Sequence, residues 1–542
     1  MITSFSFSAR LCTSTPLKLS ALISALVIAG CATVDPQPLN GQEIKVQAQT
    51  DRSQSQQDVE PIKGALSLEE AIARGLKYNL DRRTRMMEEG IAFNQLDVSK
   101  FDMLPKLVAS AGYNSRSEYA TSMSANSNGV MLPGGNTYIS SEKSHTTTDL
   151  GLTWNLLDFG LSYYGAKQNA DRALIAVERR RKAMHILIQD VRSAFWRTAS
   201  AQKLRAEVKS SIALAVDALG DARKAEDERL RSPLDSLRYQ RQVMENLRLL
   251  ETIDQELSTA KIELANLINA PLSLDLQVLE PAESLNPRML ELPIAAMEDV
   301  AIARNADLRE QFYNTRIASE ETRKTILRMF PSLNFNYTLK HDTDKYMVNN
   351  SWNEAGAQLS FNLLNVFSAP SQKRLAAAGV ALADQRRVAT QMAILAQMHI
   401  ARLQYSNALQ QFERSDAIWS IDDRINGHIA NREQAQTMGK LDKVANNTAA
   451  ILSLLRRYQA LAQAHAAASK LQATLGMEPE LGSVQDMSLS DLQTAIGSAI
   501  KRWENGELPV SEPAPVESAP LTPPAAHVDS VVTPAPQKVA SW

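Results

Sequence analysis

The chain carries one unit twice, so whatever it folds into must contain two similar halves. Lys77-Tyr78-Asn79-Leu80 and Leu104-Pro105-Lys106-Leu107 match Ala303-Arg304-Asn305-Ala306 and Phe330-Pro331-Ser332-Leu333, and the spacing from Asn79 to Pro105 equals that from Asn305 to Pro331. Trp154-Asn155-Leu156-Leu157-Asp158-Phe159 matches Phe361-Asn362-Leu363-Leu364-Asn365-Val366, and Leu234-Asp235 matches Leu441-Asp442, both at an offset of 207. Ala265-Asn266-Leu267 corresponds to Ala473-Thr474-Leu475, one residue out of step. The offset is 226 before the strand region, so copy one holds 19 extra residues between Leu107 and Trp154.

Within each copy the hydrophobic period changes. Leu333 to Lys340 alternates apolar and polar without a fault, as do Leu150–Leu156 and Leu359–Leu363, and Leu107–Tyr113 follows more weakly. That is the period of a sheet with one apolar and one polar face. It fits a lipid-facing barrel wall or a soluble hairpin pair packed on helices, and alternation does not separate the two. The remainder is helix of unusual length. Leu161–Ser232 (72 residues) and Ser371–Met438 (68 residues) contain no proline, and as continuous helices they would reach about 108 and 102 Å. Ser232-Pro233 reads as the N-cap and first residue of a returning helix, and Gly439 as a left-handed helix end. The returning helices run to about Ile268 and Leu475. Each copy is helix, strand, strand, long helix, tight turn, helix, with coiled-coil packing implied by the lengths.

Composition bears on function mainly by exclusion. Against 58 Lys+Arg stand 60 Asp+Glu, a net charge of −2, without the basic excess that supplies affinity for nucleic acid. The two cysteines, Cys12 and Cys31, give no disulfide framework or thiolate metal cluster. No HExxH, GxxxxGK[ST] or strand-flanked GxGxxG motif is present, and no cofactor, metal site or catalytic residue is expected. The reading is of a non-enzyme. Ser140-x-x-Lys143 has nucleophile–base spacing but lies in a stretch rich in Ser, Asn and Gly. Arg179-Arg180-Arg181-Lys182 reads as a solvated helix face, and His185 and His399 as packed or solvent-facing. Arg116–Thr148, with Met131-Leu132-Pro133-Gly134-Gly135, reads as a long outer loop.

The N-terminus is an address. Arg10 and Lys18 precede a twelve-residue apolar run, Leu19–Gly30, too short to span a bilayer but suited to a signal peptide. No other stretch reaches about 18 apolar residues, so any crossing must use strands. Val27-Ile28-Ala29-Gly30-Cys31 resembles a bacterial lipobox, which implies a diacylglyceryl thioether on Cys31 and a further acyl chain on the new N-terminus, a stable anchor. Ala32 after it, by resemblance to lipoprotein sorting, implies the outer membrane of a Gram-negative bacterium. At the other end, eight of the 22 prolines fall between Pro509 and Pro536, a composition that cannot bury a core.

Four strands cannot close a barrel, and an open edge in lipid costs several kcal/mol per unpaired backbone group. Spanning strands would need other copies: a dimer gives eight, a trimer 12, a tetramer 16, and the residues do not choose. With these features in order, the chain resembles the TolC-like outer-membrane factor family, especially its lipoprotein branch. The marks are Asn305-Ala306-Asp307-Leu308, the Pro-x-Leu before each first strand, Trp154-Asn155-Leu156-Leu157-Asp158 and Gly439-Lys440-Leu441-Asp442, over about residues 64–480. The resemblance implies a mostly α fold with a small transmembrane β-barrel portion: a homotrimer sharing a 12-stranded barrel, above a hollow α-helical barrel. It implies a passive exit duct of a tripartite efflux system, working with a periplasmic adaptor and an inner-membrane transporter. The corresponding organisation is a signal peptide (1–30), a lipid-anchored tether (31–63), repeat 1 (64–290), repeat 2 (291–480), a short helical segment (481–508) and a Pro-rich tail (509–542).

Candidate lipid-facing residues are Leu152, Trp154, Phe335, Tyr337 and Phe361. Leu234, Asp235, Gly439, Leu441 and Asp442 are candidates for the periplasmic tip that docks the adaptor. In some family members aspartate rings follow the tip glycine, but the matching places near Ala445 and Thr448 carry no acid. Asp235 and Asp442 would form cation-favouring rings in a trimer, or serve as helix-start acids on the macrodipole, worth about 0.3–1 kcal/mol. Two other functions fit the same pattern: the outer-membrane component of a type I protein or peptide secretion system, and a lipid-anchored helical scaffold without a pore.

Overall fold

The computed structural model describes residues 38–123, 128, 137–228, 232–279, 285–434, 440–479, 481 and 484–509, with side chains at 225, 257, 429–434 and 440–442 left aside. It divides into two units, 1–58 and 59–542. In the first, helix α1 (Gly41–Gln56) opens on a capping box between Asn40 and Glu43 and buries none of its residues.

The second unit repeats itself element by element. Copy one runs α2 (Leu68–Tyr78), α3 (Leu80–Phe101), β1 (Lys106–Ser115), β2 (Ala120–Met123), β3 (Thr137–Ser141), β4 (Ser144–Asn155), α4 (Leu156–Asp227) and α5 (Pro233–Leu267). After a short helix, α6 (Arg288–Glu291), copy two runs α7 (Ile294–Arg304), α8 (Ala306–Leu327), β5 (Ser332–Asp342), β6 (Ser351–Ser360), α9 (Asn365–Gln434) and α10 (Lys440–Thr474). Helix α11 (Leu489–Glu504) follows. Paired helices have 11 and 11, 22 and 22, 72 and 70, and 35 and 35 residues.

The matched asparagines do matched work. Asn79 ends α2 and caps α3, accepting from the Arg82 N–H, while its amide donates to the Leu267 carbonyl at 3.0 Å. Asn305 ends α7 and caps α8, and its amide donates to the Thr474 carbonyl at 3.0 Å. Leu267 and Thr474 are the last residues of the returning helices, so each asparagine ties a kink between two helices to the end of a third. Asn155 caps α4 through the Leu157 and Asp158 N–H groups, and Asn362 accepts from the Leu364 N–H. The returning helices end alike too, on Asn269 at φ 53° and Gly476 at φ 67°. A Cβ on Gly476 would lie 2.5 Å from the Arg304 carbonyl oxygen, so glycine is required there by strain and by space alike.

Four strands form one antiparallel sheet in the order β1-β4-β5-β6, and β2 and β3 form a separate hairpin. That hairpin occupies part of the stretch read as an outer loop, and β4 starts earlier than expected, at Ser144. Its run Thr146-Thr147-Thr148 is β-branched and pairs with Tyr113, Gly112 and Ala111, which favours strand over loop. The Met131–Gly135 motif lies outside the described residues. Strand β6 is shifted the other way: it ends at Ser360, and Asn362 accepts from the Leu364 N–H in the turn that leads into α9. Helix α9 likewise begins before Pro370, which sits inside it. Near a helix start the missing N–H removes few bonds.

Helix α4 lies between α3 and α8 in the upper part, with α8 against α9, and between α5 and α10 in the lower part, with α10 against α9. The largest core joins α2, the middle of α4, the upper ends of α5 and α10, and α11 around Tyr78, Phe195, Leu264, Leu475 and Trp503. Smaller clusters continue down the long helices around Leu204 and Leu250, then Ala218 and Val243.

Candidate functional site

The sheet is inside out for a protein in water. Directly opposed residues of antiparallel strands share a face, and the register aligns Leu107 with Leu152, Leu152 with Tyr337, and Trp154 with Phe335. Leu333 faces Leu359. This face is apolar at its helix end across all four strands, and turns polar toward Thr146, Thr148, His341, Ser351 and Asn353 at the other end. Along β4 and β5 its side chains are the exposed ones: Tyr337 retains 44% of its accessible surface and Trp154 36%, whereas Asn334, Asn336, Thr338 and Lys340 on the other face are half-buried. The polar face mixes small and amide residues, Ser110, Gly112, Gly151, Thr153, Asn336 and Gly356, with charged ones, Lys106, Asp149 and the Lys340–Glu354 ion pair, and also carries Val108 and Trp352. No described helix covers the apolar face; such a contiguous patch marks contact with another protein or a membrane. Leu152, Trp154, Phe335 and Tyr337, candidates for the lipid-facing wall, therefore come together on one face. Phe361 continues their side of the sheet but lies one residue beyond β6.

Both the sheet and the helical layer have open edges. Among the described residues β1 and β6 each pair on one side only. Helix α3 is the outer member on the β1 side and exposes Leu80, Met87, Ile91, Val98 and Phe101, at spacings of seven, four, seven and three, the seam of a coiled coil. Helix α9 is outermost on the other side and exposes Phe367, 81% accessible, with Leu375, Leu382, Val388 and Met392. No described helix is long and apolar enough to cross a membrane.

The tip residues separate by what is described. Leu234 is 57% exposed on the first turn of α5, and Asp235 is the acid of that turn. Ser232 is the N-cap and Pro233 follows it, but the serine side chain makes no capping bond. Leu441 and Asp442 lie in the first turn of α10 with their side chains outside the description, and Gly439 and Cys31 lie outside the described residues.

Other sequence features resolve into structure. The Arg179–Lys182 run is a solvated face only at Arg179 and Lys182. Arg181 is buried and holds Glu178 at 2.5 Å and Glu478 at 2.9 Å, and Glu178 also takes Arg309 at 2.7 Å. Arg179 pairs with Glu310, Arg180 with Glu89 and Lys182 with Asp307. Burial works to lower the Arg181 pKa, but Glu478 and Glu178 together outweigh it and hold the guanidinium above its usual value. The partners of the run come from α3, α8 and the residues after α10, so no local pattern announces them; only the glutamates at helical spacing hint at pairing. His185 is buried, its pKa pushed down to about 4 by desolvation, while His399 bonds Glu298 at 2.8 Å. Ser140 Oγ donates to the Ala120 carbonyl and Lys143 Nζ to the Ser117 carbonyl, so they form no nucleophile–base pair. Among the described residues no three His, Cys, Asp or Glu side chains are grouped to hold a metal ion.

No protein-family model matches the chain, and no curated protein matches it in sequence. Solved structures do. The Campylobacter jejuni CmeC outer membrane channel superposes with a TM-score of 0.59 at 12% identity, covering 81% of this chain and 89% of that one. A membrane protein from Pseudomonas aeruginosa gives 0.58 at 13%, covering 78% and 92%. The open state of the Neisseria gonorrhoeae MtrE outer membrane channel gives 0.55 at 15%, covering 76% and 88%. The chain has the TolC-like outer-membrane factor fold. In that fold the duplicated unit, the exposed sheet face and the long paired helices are one architecture, and the likeness spans most of both chains.

Proposed function

We propose that the chain is the outer-membrane exit duct of a tripartite efflux system, a passive conduit rather than an enzyme, and a homotrimer. One observation carries this reading: an apolar sheet face turned outward, on a sheet whose two edge strands lack a second partner among the described residues. In a bilayer the exposed side chains would meet hydrocarbon instead of water. An eleven-residue strand rises about 36 Å, or about 28 Å when tilted by 40°, against an apolar band of about 25 Å in such barrels. Lipid forbids open edges, so β6 of one copy must meet β1 of the next. Two copies would close eight strands, whose interior side chains fill. Three give twelve and are the smallest closure that leaves a lumen, lined here by the polar face, its small and amide residues and the charged Lys106, Asp149, Lys340 and Glu354.

Below the sheet, α4 and α9 would extend about 100 Å toward tips carrying Leu234 and Leu441. An adaptor would dock there and couple the duct to an inner-membrane transporter. The lipid on Cys31 would anchor each copy.

Two measurements test this. Purified full-length protein added to planar bilayers is expected to give stepwise conductance from a species of three chains; a monomer without conductance overturns it in favour of the scaffold. A photo-crosslinking residue at Leu441, or at Leu234, is expected to capture a periplasmic adaptor in intact cells, and that adaptor's cognate transporter separates drug efflux from protein secretion.

A further inference from the structure

Below the apolar belt, the outward side of α4 continues in a different chemistry. Trp154, at the end of β4, packs edge-on against Phe159, with ring centres 5.9 Å apart. Phe159, Tyr163 and Lys167 follow one another at helical i, i+4 spacing, so they share that side of the helix. Tyr163 and Tyr164 pack against each other at 5.5 Å. The Lys167 ammonium lies 4.8 Å from the Tyr163 ring centre and 5.9 Å from that of Tyr164. Lys167 is exposed and has no carboxylate partner among the described residues, unlike the Arg179–Lys182 cations further down the same helix.

The repeat supplies an independent observation. Arg374 stands to Phe361 as Lys167 stands to Trp154, since both pairs share the offset of 207 between the copies. Arg374 is also exposed, donates to Ser371 Oγ at 3.2 Å, and has no carboxylate partner among the described residues. The tyrosines are not repeated, since Pro370 and Ser371 stand in their places. What recurs is a cation free to meet an anion from outside the chain.

The level is right for a lipid headgroup. Helical side chains lean toward the helix N-terminus, which here is the sheet end, and the Lys167 ammonium reaches back to Tyr163. That places it about 10 Å along α4 from Leu156, while the headgroup layer extends about 5–8 Å beyond the hydrocarbon. Tilt of the helix shortens the difference. Tyrosines in this layer keep an apolar body toward the tails and a polar tip in the wet zone.

We propose that Lys167, seated on Tyr163 and Tyr164, and its repeat counterpart Arg374 form headgroup sites for phospholipid phosphate at the helix side of the sheet, with a preference for anionic lipid. This rests on the membrane reading of the sheet. The test uses the full chain in detergent, offered equal amounts of phosphatidylglycerol and phosphatidylcholine and read by native mass spectrometry, with bilayer conductance measured on the same samples. Wild type is expected to retain phosphatidylglycerol preferentially. Lys167→Gln with Arg374→Gln should lose about fivefold of that preference per site, with conductance unchanged, and Lys167→Arg should keep it. No preference in wild type, or an equal preference in the double variant, overturns the proposal while leaving a conducting duct intact. Displacement of the lipid by millimolar inorganic phosphate overturns it in favour of a free-phosphate site. Absence of conductance in wild type brings down the duct reading itself.

Discussion

His465 on α10 stacks on Trp196 of α4, with ring centres 4.7 Å apart and planes 13° off parallel, and its Nδ1 faces an Arg192 guanidinium nitrogen at 3.4 Å. A neutral ring accepting there carries its proton on Nε2. Burial, with the Arg192 charge, pushes the His465 pKa down to about 3, beside about 4 for His185. A depressed histidine pKa means that the folded state resists a proton the unfolded state accepts. Stability is therefore full above about pH 6.5, the ordinary histidine value, and falls as pH drops below it toward the two folded-state values. Thermal unfolding followed from neutral pH into the acid range should show this slope, and His465→Gln, which keeps an acceptor, should flatten it; an unchanged slope would assign the acid loss elsewhere. The Arg181 cluster gives a second prediction. Glu178 is the buried carboxylate shared by Arg181 and Arg309, so Glu178→Ala leaves Arg181 with Glu478 alone and should cost about 1.5–3 kcal/mol, read as a drop in unfolding temperature. The cluster was not legible in the sequence, because Arg181 meets Glu478 and Glu178 meets Arg309 only through contacts between segments far apart in the chain.

At the scale of elements, strand legibility depended on whether the two faces differ in polarity. Strand β5 alternates without a fault and was readable; β6 has Asn353, Ala355 and Ala357 on the side where β5 has Leu339, Tyr337 and Phe335. Its strand state comes from pairing with β5, so the short alternation at Leu359–Leu363 marked only its end. Helix lengths were readable because long stretches lack proline, but their starts were not, since Asn155 caps α4 directly after β4 and α9 starts ahead of Pro370. The sheet's environment gives the test. Tyr337→Lys places a charge near mid-strand on the outward face and should cost a spanning barrel about 2–4 kcal/mol, seen as lower yield in the outer membrane. The same change at Thr338, on the polar face, should be tolerated. Equal tolerance at both positions would return the sheet to water.

For the whole molecule, the open edges decide what is finished and what is not. The exposed stripe on α3 and the exposed stripe on α9 lie on opposite sides of one layer, so in the proposed homotrimer the copies would meet head-to-tail around a ring. Ile91→Asp puts an uncompensated carboxylate into that seam and should shift the protein from trimer to monomer in size-exclusion chromatography with light scattering. A trimer of unchanged stability would place the seam elsewhere.

The sequence by itself determined the duplication, the switch from a two-residue to a helical period within each copy, the helix lengths and the polarity of the sheet faces. These follow from local chemistry: matched residues at a fixed offset, side-chain alternation and long stretches without proline. Only the tertiary structure decided which way the apolar face turns, that β1 and β6 are the edges, and that Arg181 is buried among carboxylates while Lys167 stands free of them. Those outcomes depend on which distant segments lie side by side, and pairing between segments so far apart leaves no periodic trace in the chain.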